Sequence, residues 1–508
     1  MNAFNGKRIF IFQQRGWATT IGQFLAEKLT AEGAELGALT LKRTTHDFIL
    51  KQTKPAYSLV ISHDDIMSEP EKYLDNDTFT LAEICRELGI DSIWPIVYSL
   101  RNHVKSYKDK YYYSFKQNVS DEAIIDYVKA IYKCIRIVFK DFKPDLILTP
   151  NFVALPHIMF NLYAKKHGVP MIGVTDSKVQ GNYIFTYDYQ ESTGPFHDRL
   201  DALNQGLLPP SPNLTRAKIY IQEFRTNFKA PETSRYLPQK TSFYRRLRHE
   251  IAPYYYCLRW FIDPQINVLK STGITADYRP PHIILRDHYA HAYNKYRAEN
   301  FGYYPLEKIG PAIYFPLQFQ PESSIDVSAP FFNNQMETAR QVAMSMPDDY
   351  TLIVKEHPAM IGYRPASCFE KLSRTVNVKL VDYRIPSQKI LEKAALVVSP
   401  NSTTIAEAAF LHKPAIQLGN IGTLLKLPNV FHHTNFSTLA SAIKTALAAD
   451  LHTPEYERRL ENYVTSAYDA GFNFDYIMAW ETGKKDDLET LWVLYRSEIE
   501  LAFGISVI

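Results

Sequence analysis

In "TLIVKEHP", residues 351–358, an apolar run ends in a cation, a carboxylate and an imidazole before a proline stiffens the chain. Lys355 and His357 alternate with Glu356, so on an extended chain they share one face, where two donors can meet one anion. A solvated strand end has the same composition. A second break, "VVSPNSTTIAEAAF" (397–410), passes through small polar residues before an alanine-rich run. Thr404 to Glu407 fit the capping box S/T-x-x-E, in which the two side chains satisfy each other's backbone donors. Asn401, Ser402 and Thr403 are then left over, and a helix start with exposed amides and extra hydroxyls is an anion site. Both readings can hold at once. Two further breaks are "QFQPESSI" (318–325), with Gln320, Glu322, Ser323 and Ser324, and "DYRIPS" (382–387). A polar turn with a helix cap accounts for the first of these equally well.

Each break follows a predicted strand. Short β-rich runs alternate with helical patterns over the first third, in "RIFIF" (8–12), "YSLVIS" (57–62), "DLILTP" (145–150) and "PMIGVT" (170–175), and the rhythm returns from residue 312. Strands separated by crossover helices predict an α/β fold of parallel, doubly wound sheets. The expected organisation is a Rossmann-like domain over 1–200, an aromatic, partly helical insertion and connector over 201–310, a second Rossmann-like domain over 311–452, and a helical tail over 453–508. In the tail, "DLETLWVLYRSEIELAF" reads as an amphipathic helix that needs a partner surface. Ligands on open α/β sheets bind outside the carboxyl ends of the strands, so two such domains place the loops around one cleft.

Composition agrees with this plan. A chain of 508 residues exceeds one hydrophobic core. The 57 Lys and Arg against 54 Asp and Glu leave a net charge of +3, too small for a dedicated nucleic-acid binder. Four cysteines without a C-x-x-C pair or paired histidine spacing suggest neither a disulfide framework nor a zinc site, and fit a reducing cytoplasm. With no signal-like apolar core at the start and no apolar run of about 18 residues, a cytoplasmic protein, soluble or peripheral at the inner membrane, is expected.

The order "YFPLQFQPESSI", "IVKEHP", "LVVSPNSTTIAEAAFLHKPAIQLG" resembles the carboxy-terminal half of the capsule polysaccharide biosynthesis glycosyltransferases, a GT-B family that includes bacterial β-Kdo transferases. The resemblance covers 312–420; the first 300 residues match only in general architecture. It implies a GT-B-like fold and a nucleotide-sugar donor, with CMP-Kdo or another CMP-sugar the first to test, a glycan or glycolipid acceptor, and no cofactor or metal. By the same resemblance Lys355 and His357 contact the donor phosphate, and Asn401, Ser402 and Thr403 form its phosphate end. Glu407 meets the ribose or orders the loop, while Gln320, Glu322 and Ser323 approach sugar or base. The related nucleotide-sugar 2-epimerases share part of this layout, so a non-hydrolysing epimerase, or a binding module without catalysis, stays open.

An inverting transfer also needs a general base in the first domain. Asp176 in "IGVTDSKVQGN" and Asp64 in "VISHDD" each follow a predicted strand, and each is equally a cap. Arg15 and Gly16, in the loop after the first strand, are expected to border the cleft. "DND" at 75–77 has the spacing of a metal-binding D-x-D, yet follows a polar, turn-like stretch and reads as a surface loop. The stretches 101–116 and 243–261 interleave Lys and Arg with aromatic residues, which fits a membrane interface or a charged glycan, or else an exposed helix that covers the core with its rings.

Overall fold

The computed structural model describes residues 3–100, 120–228, 243–263 and 280–505. The stretch 101–116 lies outside them. Two open sheets organise the chain. In the first, strands run in the order β13-β6-β5-β4-β1-β2-β3, with β1 Arg8–Gln13, β2 Glu35–Thr40, β3 Tyr57–Ser62, β4 Leu146–Leu148, β5 Met171–Asp176, β6 Asn182–Thr186 and β13 Gly471–Asn473. The second runs β12-β11-β10-β7-β8-β9, with β7 Ala312–Pro316, β8 Thr351–Lys355, β9 Val378–Val381, β10 Ala394–Ser399, β11 Ala415–Gln417 and β12 Val430–His432. The second sheet is parallel throughout. The first is parallel from β5 to β3, but β5, β6 and β13 pair antiparallel, a departure from the wholly parallel sheet expected. The turn at 177–181 is too short for a crossover, so β6 returns as a hairpin.

The central strand β1 shows why these runs form buried strands. Phe10 and Phe12 enter one apolar layer with Ile131 and Phe160, from helices α1 (Asp121–Ile137) and α2 (Leu155–Lys166). Ile9 and Ile11 enter the layer on the other side with Trp17 and Leu25. Covered on both faces, the strand reads as a continuous apolar run. The neighbouring β2 lacks that signature because Gly37 stands where a Cβ would lie 2.7 Å from the Phe10 ring.

The connector supplies three long helices, α3 (Leu214–Asn227), α4 (Phe243–Ile262) and α5 (Pro281–Glu299). Ile221 and Phe224 of α3 pack with Ala408, Ala409 and Phe410 under the second sheet. The helix after β10 is α6 (Thr403–Phe410). Beyond the second sheet, α7 (Pro454–Ala470) packs against α3 and leads into β13 on the edge of the first sheet. Two more helices follow, α8 (Tyr476–Thr482) and α9 (Lys485–Ala502). Leu491, Tyr495 and Ile499 of α9 are buried among Ile9, Ile11 and Trp17, so the amphipathic tail finds its partner surface on the first domain. Each such side chain contributes roughly 1.5–3 kcal/mol on burial.

Candidate active site between the two sheets

A cavity of about 530 Å³ opens between the carboxyl ends of the two sheets. The second domain lines it with the loops after β7, β8, β9 and β10, and the first domain with residues of the segment 176–183; α3 adds Tyr220 and Phe224, and its C-cap Phe228 follows.

After β8 the strand ends in three ionisable residues whose fates differ. Lys355 is 6% exposed and its Nζ donates to the Ile385 carbonyl at 3.0 Å. Burial pushes its pKa down, against the pull of Glu407 and Asp382. Glu356 is wholly buried and paired with Arg364 at 2.5 Å; it also accepts from the His357 amide at 2.8 Å, while Arg364 donates to the Gln318 carbonyl at 3.0 Å. Desolvation drives the Glu356 carboxyl up and the Arg364 guanidinium down, and the close ion pair opposes both shifts. This pair ties the loop after β7 to the loop after β8. His357 lines the cavity, with its pKa pushed down to about 4 by burial and by Lys355. Its Nδ1 accepts from the Ala359 amide at 3.2 Å, which puts the proton of the neutral ring on Nε2 as a donor.

After β10 the helix starts earlier than the capping box implies. Ser402 is the N-cap, its Oγ accepting from the Thr404 amide at 3.1 Å, and the helix begins at Thr403. Glu407 therefore sits in the second turn, out of reach of the cap. Its carboxyl lines the cavity at 4% exposure, and its Oε2 is buried without a hydrogen-bond partner. Burial raises its pKa to about 7, and Lys355 lowers it. Thr403 is half-buried and lines the cavity. Asn401 lines it as well, with its polar atoms engaged in bracing. Nδ2 donates to the Ser324 carbonyl at 2.7 Å, and Oδ1 accepts from Gln417 at 2.9 Å and from the Ile421 amide at 3.3 Å.

In the loop after β7, Glu322 and Ser324 line the cavity, joined by a 3.0 Å bond from the Ser324 hydroxyl. Gln320 and Ser323 are not among the lining residues. Gln320 is 2% exposed, donating to the Asn333 carbonyl at 2.9 Å and accepting from Gln335 at 3.0 Å.

On the first-domain side Asp176, at the end of β5, lines the cavity with Lys178. The Lys178 amide donates to Asp176 Oδ1 at 2.9 Å, and its ammonium lies 3.5 Å from Oδ2. Lys178 adopts a left-handed backbone, φ 65°. Nothing in the local pattern of "TDSKVQ" marks that lysine, because its role depends on the cavity that the second domain closes. Asp64 is 4% exposed, accepts from the Arg43 amide at 2.7 Å and does not line the cavity. Arg15 and Gly16 are exposed and also lie off it; the Gly16 carbonyl accepts from the hydroxyls of Thr19 and Thr20 at 2.9 and 3.0 Å. In the D-x-D stretch, Asp75 and Asn76 take left-handed backbone and Asp77 pairs with Lys133 at 2.8 Å, which makes it a helix-ending turn. Among the described residues no group of three His, Cys, Asp or Glu side chains is placed to hold a metal. No helix there is long and apolar enough to cross a membrane.

No curated protein matches the chain. Among solved structures it is similar to the β-Kdo 2,7 transferase of KpsC from Thermosulfurimonas dismutans (12% identity, TM-score 0.34, covering 77% of this chain and 94% of that one). It is also similar to a putative UDP-N-acetylglucosamine 2-epimerase from Listeria monocytogenes (11%, 0.25, 90% and 93%) and to the Neisseria meningitidis UDP-GlcNAc 2-epimerase bound to UDP-GlcNAc (13%, 0.24, 91% and 97%). At these scores none of the three carries an argument about this chain. The family comparison is more direct. Residues 216–421 match the model of the capsule polysaccharide biosynthesis proteins, a span that runs from α3 through the cavity-lining loops after β7, β8, β9 and β10. That segment, which holds Lys355, His357, Ser402 and Glu407, is similar to the capsule polysaccharide biosynthesis proteins over less than half of the chain.

Proposed function

We propose that the protein is an inverting glycosyltransferase. It moves a sugar from a nucleotide-sugar donor, with CMP-Kdo or another CMP-sugar the first to test, to a surface-polysaccharide or lipid-linked glycan acceptor. The reading places it in the cytoplasm, in peripheral contact with the inner membrane. The observation that carries it is the convergence of two unlike groups on one cavity. Lys355, His357 and the first turn of α6 offer cationic and N–H donors from one domain, and the Asp176 carboxylate stands on the other.

The acceptor oxygen bonds to the anomeric carbon as its proton passes to Asp176. The bond from that carbon to the phosphate oxygen breaks, and its electrons leave with the nucleotide. Lys355, the His357 Nε2–H and the α6 amides meet that departing charge without reorganising. Ser402 and Thr403 present the start of α6, Glu407 meets a donor hydroxyl, and Glu322 and Ser324 stand where the sugar enters. Gln320 and Ser323 shape these loops from behind, and Asn401 braces them from the cavity wall.

The deciding experiment incubates the purified chain with CMP-, UDP- and GDP-sugars, with and without a glycan acceptor. Nucleotide release that requires acceptor is expected. Isomerisation of the sugar without acceptor makes the protein an epimerase, and binding without turnover makes it a binding module.

A further inference from the structure

Helix α4 is amphipathic in the wrong direction for a core helix. Phe243, Leu247, Ile251, Tyr254, Leu258 and Phe261 recur at spacings of three and four, so at about 100° per residue they fall on one stripe. All six are between 46 and 82% exposed. A stripe of this kind faces the core in an ordinary globular helix, and its outward display marks an interaction surface.

The stripe continues onto α5. Tyr254 and Tyr289 meet hydroxyl to hydroxyl at 2.5 Å, and Tyr289, Tyr293 and Tyr296, again at spacings of four and three, are 56 to 64% exposed. Helices α4 and α5 pack on each other, and the far end of α5 is fixed to the body, where Ala298 is buried under the second sheet and Arg297 donates to Glu370 at 2.7 Å.

We propose that this face of α4 and α5 docks on an anionic lipid bilayer. Charge selects that occupant over a second copy of the chain. The segment 243–263 carries arginines at 245, 246, 248 and 259 against Glu250 and Asp263, a surplus that a like-charged copy would meet unfavourably and an anionic surface favourably. The tyrosines fit as well, since their rings lie at the acyl boundary while their hydroxyls stay among the headgroups. A helix with its apolar stripe downward and cations beside it lies in the plane of the interface. The inference names the surface for the membrane contact proposed above, and it stands whether or not the cavity transfers sugars.

The test is co-sedimentation of the full chain with vesicles of mixed phosphatidylglycerol and phosphatidylcholine, against vesicles of phosphatidylcholine alone. Preferential binding to the mixed vesicles is expected. Leu258→Asp with Phe261→Asp lowers it by about tenfold or more, Arg248→Glu lowers it less, and both variants keep the parent melting temperature and nucleotide release with a soluble acceptor. Three results overturn the proposal: no vesicle binding by the parent chain, undiminished binding by the Asp variant, or a parent dimer that the Asp variant dissociates while vesicle binding persists. None of these bears on transfer to the soluble acceptor, which tests the function separately.

Discussion

Glu407 of α6 and Lys355 at the end of β8 share the cavity wall and oppose each other's desolvation: burial raises the Glu407 carboxyl to about 7 and lowers the Lys355 ammonium, while each charge resists the shift in the other. An acid whose pKa is raised on folding contributes stability below its unfolded value and loses it as pH climbs through the folded one. The window here runs from about 4.5 to about 7. Glu407→Gln should therefore raise the melting temperature at pH 8, by an amount equivalent to about 1–3 kcal/mol, and change it little at pH 4. Donor affinity should fall in the same variant, because the Glu407 Oε2, buried without a hydrogen-bond partner, is the oxygen offered to the ligand. Thermal melts at the two pH values, with and without nucleotide, check both.

His357→Ala should weaken donor binding or transfer by about 10- to 100-fold, the worth of one hydrogen bond to a charged group. With the pKa of this histidine held near 4, it stays neutral through the physiological range, and it should add no inflection near pH 6.5 to the pH profile. Ser402→Ala is expected to weaken donor binding too. As Ser402 proves to be the N-cap of α6, that variant should also lose about 1 kcal/mol of stability, which denaturant titration would register.

Asp176→Asn should lower turnover by about 10²–10⁴ while leaving the donor dissociation constant nearly unchanged, as expected of a group that takes a proton from the acceptor. Lys178→Met should follow it in direction, since the ammonium and amide of Lys178 hold the two oxygens of that carboxylate. Lys178→Arg should recover part of the loss. Steady-state kinetics with varied donor and varied acceptor separate this from a defect in donor binding.

Glu356→Gln leaves the Arg364 guanidinium buried without its counter-charge, at a cost of about 3–5 kcal/mol. Replacing both residues by apolar ones of similar volume should cost much less. Because the pair braces two cavity loops, the single variant should lose donor binding along with stability.

Much of the molecule was legible locally. Strand β8 and the residues beyond it, the break after β10 and the run of α9 each announce themselves through periodicity and punctuation, because hydrophobic spacing and Pro or Ser placement act within a few residues. Strand β2 escaped because Gly37 and Ala38 make it look unlike a β-rich run; its glycine serves Phe10 on a neighbouring strand. Strand β13 escaped because three residues have no pattern of their own and pair only with β6.

The candidate site divides in the same way. The sequence by itself determined which loops carry cations, hydroxyls and carboxylates, since residue type and strand position are local properties. Only the tertiary structure decided how those groups are used. It set the register of α6, which makes Ser402 the cap and leaves Glu407 in the cavity. It also turned Glu356 inward to Arg364, Gln320 into a buried network and Asp64 onto the Arg43 amide, and brought Asp176 and Lys178 against the second domain. It turned the apolar stripe of α4 outward as well. Periodicity says that a helix has an apolar face; where that face points depends on what the rest of the chain leaves for it to cover.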